Sequence, residues 1–152
     1  MAANRTLYVL DWVRTLLATD TTLTVQKVWR PDNGNGIIAY PFILNQSFSD
    51  YDERGSNLDN GVIQLNILFS DKTQGDPAGL GLNTDAYGEL IQKVEKLFDD
   101  AALTVAETHT GSLYRTRIQW ARIQSWDGQF DVGDTKMNVG CLVNIGFTHT
   151  RQ

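Results

Sequence analysis

Every second residue from 137 to 147 is apolar: Met137, Val139, Cys141, Val143, Ile145 and Phe147. Asn138, Gly140, Asn144 and Gly146 stand between them, with Leu142 the one apolar exception. A period of two belongs to a strand with one buried face, since a helix repeats near 3.6. Extended at about 3.3 Å per residue, the run 136–150 spans roughly 50 Å. A compact chain of this length is only about 40 Å across. The strand must therefore cross the whole body or project from it. Residues 112–126 form a second strand of similar length: Tyr114, Thr116, Ile118 and Trp120 are predicted on one face, and Leu113, Arg115, Arg117 and Gln119 on the other. The connecting stretch 127–135, with Gly128 and Gly133, reads as the tip of one long hairpin.

A strand longer than its own domain offers an edge to a neighbour. An exposed, long, apolar edge invites aggregation unless something covers it. The hairpin therefore reads as an inter-subunit element. Gly140, Leu142 and Gly146, on the face away from the core, are candidate subunit contacts, and the two glycines suit close approach of a neighbouring backbone. Arg115, Arg117 and Arg122 are the densest positive group. Arg115 and Arg117 share one strand face and join the candidate contacts, either as solvated charge or as partners of acidic groups on another copy.

The remaining chain supplies two helices and more strands. Over 6–18, Val9, Trp12, Val13, Leu16 and Leu17 recur at three and four residues, as an amphipathic helix requires. Leu23, Val25, Lys27 and Trp29 alternate as a strand, and 31–36 (PDNGNG) is a turn. Residues 37–48 read as a strand whose Pro41 demands an edge or a bulge. Residues 49–61 read as a mobile polar loop, 62–69 as a strand and 71–82 as a glycine-rich loop. Tyr87, Leu90, Ile91, Val94, Leu97 and Phe98 stripe a second helix, capped by Asn83 or Thr84 with Asp85 in its first turn. Gly88 within it suggests close packing, because glycine there costs about 1 kcal/mol. Residues 101–109 are a further strand. Strands come in runs rather than alternating with helices. The expected class is thus α+β: a single domain, 1–152, with a mostly antiparallel twisted sheet, two helices packed on one face and a long C-terminal β-hairpin.

Of the 152 residues, 41% are hydrophobic, enough for an ordinary core, and the net charge of −5 argues against a whole-chain nucleic-acid binder. The apolar stretch near the N-terminus is broken by Asp11 and Arg14 and is too short to span a bilayer, so a cytoplasmic site of synthesis and no membrane association are expected. The single cysteine, Cys141, reads as a small buried hydrophobe.

Chemistry is sparse. His109 and His149 have no partner at ligand spacing, and no nucleophile elbow, Walker loop, dinucleotide fingerprint or zincin motif occurs. Asp50, Asp52, Glu53 and Asp59 cluster in one predicted loop, and Asp127, Asp131 and Asp134 in another. Their spacing is not that of an EF-hand. They read as solvated loop charge or as acidic loops facing a channel or a basic partner, with a metal-assisted hydrolase as a further alternative. No catalytic, cofactor or metal residues are assigned. Trp12, Trp29, Trp120 and Trp126 would line the cavity of a monomeric small-ligand-binding protein, a competing reading.

The order and texture of the first hundred residues resemble the tail terminator (tail completion) proteins of long-tailed bacteriophages. The resemblance lies in an amphipathic helix, the strand Val25–Trp29, a Tyr-Pro-Phe-Ile strand at 40–43 and a polar loop with acids and Arg54. Then come a Val-Ile-x-Leu-x-Ile strand at 62–67, a glycine-rich loop and the helix at 86–98. The last fifty residues match only in being strands. The resemblance implies a structural virion protein without an active site. It would form a ring, usually a hexamer, that caps the tail tube, joins it to head connector or stopper proteins and lets DNA pass through its lumen without specific binding. A head-closure or adaptor protein of the same neck is the neighbouring alternative.

Overall fold

The computed structural model of the chain describes residues 5–28, 36–51, 58–71, 84–101, 107–108, 114–130 and 137–151. Helix α1 (Arg5–Ala18) leads into a turn in which the Asp20 carboxylate accepts hydrogen bonds from the Thr22 N–H (2.9 Å) and hydroxyl (2.6 Å). Strands β1 (Leu23–Val25), β2 (Ile37–Tyr51) and β3 (Leu58–Asp71) follow, then helix α2 (Thr84–Asp99). Strands β4 (Glu107–Thr108), β5 (Tyr114–Phe130) and β6 (Met137–Arg151) complete the order. All six strands form one sheet, β1-β2-β3-β6-β5-β4. Only β1–β2 is parallel. The class is α+β as expected: both helices pack on one sheet face, and β5 and β6 make the long hairpin.

The core is written in alternating residues. Ile63, Leu65, Ile67 and Phe69 of β3 and Val139, Cys141, Val143, Ile145 and Phe147 of β6 are all sealed from solvent. Val9, Val13 and Leu17 of α1 and Leu90, Val94 and Phe98 of α2 close over them. Trp12 meets Phe98 edge-on at 6.5 Å, and Trp126 stacks on Phe69 at 5.9 Å. The stripe expected on each helix is therefore the buried one, as amphipathic period predicts.

Pro41 sits where its chemistry allows. The Gln26 N–H donates to the Ala39 carbonyl (3.0 Å), so Ala39 turns its backbone groups toward β1. Pro41, two residues on, turns the same way, and β1 pairs only with 37–39. The donor that proline lacks would have faced an open edge. A bulge follows at Leu44, between Ile43 and Asn45.

Several expectations are corrected. The polar run 49–61 is not mainly a loop: 49–51 pair with 58–60, and Asp50 stands opposite Asp59 in the ladder. Asp127 and Gly128 belong to β5, not to the hairpin tip. The first strand stops at Val25, and Gln26–Val28 are not in it. Among the described residues nothing outside the helix's own backbone lies within 4 Å of where a Cβ on Gly88 would stand, so the expected close packing is not found there. Trp120 lies on the opposite face from Ile118, because β5 carries bulges at Gln119 and Gln124 that shift its alternation twice. Trp29, His109, Leu113, Arg54, Gly133 and most of the turn at 31–36 fall outside the described residues, as do the loop at 72–82 and most of the strand at 101–109.

The largest correction concerns β6. It does not lie at an edge. Its residues pair with β3 from Met137 to Thr150 and with β5 from Met137 to Arg151, so both its ladders are filled. A long strand buried at the centre of a sheet offers a neighbour no hydrogen bonds. The sheet's outer strands are β1 beside β2 and β4 beside β5, and each covers only part of its longer neighbour.

Candidate interaction surface

With both helices on one face, the other face of the four long strands is covered by no described element. Register places its residues in rows running across β2, β3, β6 and β5. Tyr40, Leu68, Gly140 and Asp127 align, then Phe42, Asn66, Leu142 and Ser125. Asn45, Gln64, Asn144 and Arg122 come next, then Ser47, Val62, Gly146 and Trp120. A solvated face of an antiparallel sheet is usually polar. This one mixes amides and charges with Tyr40, Phe42, Val62, Leu68, Leu142 and Trp120. The bulge residue Leu44 and Trp120 are 57% and 37% exposed.

Two shallow grooves cross the surface. One, about 370 Å³, is lined by Leu44, Asn66, Leu68, Asp127, Gly140 and Leu142, among others. The second, about 380 Å³, lies at Val62, Gln119, Trp120, Gly146 and Thr148. Gly140 floors the first: a Cβ there would meet the Asn66 side chain only at ordinary contact distance, 3.4 Å. Gly146 has an internal explanation instead. The Trp120 indole lies directly on it, leaving no room for a Cβ. An aromatic ring covering a cross-strand glycine restores the packing that the missing side chain forfeits. Arg122 stands 5.9 Å from the Trp120 ring centroid, within cation–π range.

Of the candidate contact residues, Gly140, Leu142, Gly146 and Arg117 lie on this face, Arg117 opposite Thr148. Arg115 pairs with Thr150 and Thr108 in the ladders. Asp127 is exposed on the same face, so the structure brings one of the predicted acids beside the predicted contacts. Asp50 lies on β2, and Asp52, Glu53, Asp131 and Asp134 fall outside the described residues. Sequence reasoning missed Leu44, Asn66, Leu68 and Arg122 as members of the surface. Arg122 stands out in the sequence only as part of a positive group, because bulges hide its face.

The Cys141 thiol is buried, and loss of hydration, followed by the nearby Glu95 charge, pushes it up to about 12. Such a thiol is a hydrophobe at neutral pH. His149 is buried, with its Nδ1 2.7 Å from the Thr116 hydroxyl. The three described tryptophans share no cavity, since Trp12 and Trp126 pack, partly buried, against the core and Trp120 lies on the opposite sheet face. Among the described residues no three histidine, cysteine or carboxylate side chains converge as metal ligands. No described helix is long and apolar enough to cross a membrane. No protein-family model matches the chain, and no curated protein is significantly similar to it.

Proposed function

We propose that this chain is a structural protein of a bacteriophage neck. It acts as a tail terminator does: a homo-oligomeric ring caps the tail tube, meets the head connector and surrounds passing DNA. The observation that carries the reading is the four-stranded face that no described element covers. At about 4.8 Å per strand and 3.3 Å per residue it offers roughly 750 Å², close to what one partner contributes to a specific interface. Aliphatic and aromatic residues on such a face suit burial by assembly. The order of elements that resembles the terminator family gives the assembly its place. An acidic chain also suits a channel through which DNA slides without sticking.

The test is to image purified protein by negative stain, alone and with tail tubes from a phage that encodes it, and to probe virions with an antibody. Rings at one end of the tube and label at the neck are expected. Virions that lack the protein, or tubes of normal length without it, would end the proposal.

A further inference from the structure

Among the described residues the sheet has helices on one side only, and α2 turns a charged face outward on the far side of the same domain. Asp85, Gly88, Glu89, Gln92, Lys96 and Asp99 are exposed along it, opposite the buried stripe. On the uncovered sheet face, Arg117, Arg122 and Asp127 are exposed along β5. Along α2 the exposed charges are mostly acidic (Asp85, Glu89, Glu95 and Asp99, with Lys96 the one exposed cation), whereas β5 presents Arg117, Arg122 and Asp127. Glu89 and Lys96 are about 10 Å apart along a helix rising 1.5 Å per residue. Arg122 and Asp127 are about 13 Å apart along a strand, allowing for the bulge at Gln124. Side-chain reach covers that difference.

The geometry points to a front-to-back contact between copies: the uncovered sheet face of one seats the outward face of α2 of the next, with Arg122 meeting Glu89 and Asp127 meeting Lys96. This rests on the homo-oligomer reading above and names the surfaces that build it. Three observations support it over other contacts. The sheet would gain on its bare side the helical layer that it already has on the other. Gly88 bares the helix backbone on the outward face, with nothing within 4 Å, so a sheet can approach there closely. Edge-to-edge pairing through β2 is blunted: Pro41 lacks a donor, Leu44 bulges, and the Asn45 side chain already accepts the Gln46 N–H (2.8 Å). Because the two surfaces lie on opposite sides of one domain, the contact is heterologous. It therefore propagates, and it closes into a ring when the repeated rotation completes a full turn with no rise along the axis.

Charge reversal tests this directly. Arg122→Glu sets two carboxylates against each other at the contact with Glu89 of the next copy. Glu89→Lys sets two cations together there, the new ammonium against the Arg122 guanidinium. Each variant alone is expected to associate about tenfold more weakly than wild type at low salt, measured by sedimentation velocity over a concentration series. An equimolar mixture of the two restores assembly, because alternating copies meet only opposite charges. Both substituted side chains are exposed, so circular dichroism should match wild type and report that folding is intact, and loss of the Arg122–Trp120 contact limits any Tm change to a few degrees. If both variants assemble as wild type does, or if mixing restores nothing, the contact is wrong while the ring reading stands. If Arg122→Glu weakens assembly but Glu89→Lys does not, the sheet face meets some other surface and the inference fails. A wild-type chain that is monomeric at every concentration, with and without tail tubes, overturns both.

Discussion

The same substitution at two glycines should move stability in opposite directions. Gly88 lies inside α2, is exposed, and would place an added methyl in open space. Alanine there removes the backbone-entropy cost of glycine in a helix, about 1 kcal/mol. For a chain of this size that raises Tm by roughly 2–4 °C. Gly61 lies on β3, opposite Phe147 on β6 and Phe48 on β2. A Cβ there would stand 2.5 Å from Phe147 Cζ and 2.7 Å from Phe48 Cδ1. Phe147, edge-on to the Phe48 ring at 5.5 Å, is only 2% exposed and has no room to yield, whereas Phe48 is 36% exposed and can swing outward, so the clash falls on Phe147. Overpacking of this kind costs about 1–3 kcal/mol. The two variants should therefore differ by roughly 2–4 kcal/mol, the sum of one gain and one loss. Urea unfolding followed by circular dichroism, at concentrations where the chain is unassembled, measures both, with equal m values showing a change in stability alone. A Gly88→Ala variant less stable than wild type would show that α2 is packed on that side. A Gly61→Ala variant as stable as wild type would show that the two rings do not meet over β3.

Three further outcomes are expected. The Cys141 thiol should resist a disulfide reagent in the native protein and react on unfolding. Because its folded pKa is about 12 against an ordinary 9.0, the unfolded chain releases this proton first, so its contribution is full below pH 9 and is lost as pH rises toward 12; Cys141→Ala should flatten that slope, and an unchanged slope would assign it elsewhere. Gly146→Ala should push the Trp120 indole off the sheet, shifting its fluorescence toward that of a hydrated ring at little cost to the core; an unshifted spectrum would place Trp120 elsewhere. Pro41→Val, which keeps this buried position apolar, should raise self-association through the β2 edge, read by light scattering, since it adds a donor on the open side; no added association would show that the bulge and Asn45 guard the edge by themselves.

How much of this was legible in the residues varies with the physics of each element. The inward stripe from Val139 to Phe147 and its match from Ile63 to Phe69 were readable, because burial on one face writes a period of two directly into sequence. The helix stripes were readable for the corresponding reason. The strandedness of 49–51 and 58–61 was not, since Ser49, Asp50, Asp59 and Asn60 have poor strand propensity and hold their place only through cross-strand pairing. The two bulges of β5 were hidden as well. Gln119 and Gln124 resemble ordinary outward residues, and only the register with β6 reveals that each is an extra one. Arg122 and Trp120 were therefore assigned to the wrong side or to none. Nor could the alternation of β6 distinguish a central strand from an edge, because its pattern reports which face is buried and says nothing about what lies to either side.

That central position has a consequence for how the chain acquires its structure. The long strands are two hairpins, β2–β3 and β5–β6, each formed by neighbours in sequence and each able to zip from its own turn. One seam, β3 against β6, joins them, and it unites the most widely separated strands of the pairings among the four. Loop closure across α2 and the segments around it must be met before that seam gains anything. The rate of folding should then be set by a docking event between two preformed halves, and slowed most by changes along Ile63–Phe69 and Val139–Phe147. Until they dock, each half exposes an apolar edge, so the seam is also where crowded, newly made chains would exchange partners.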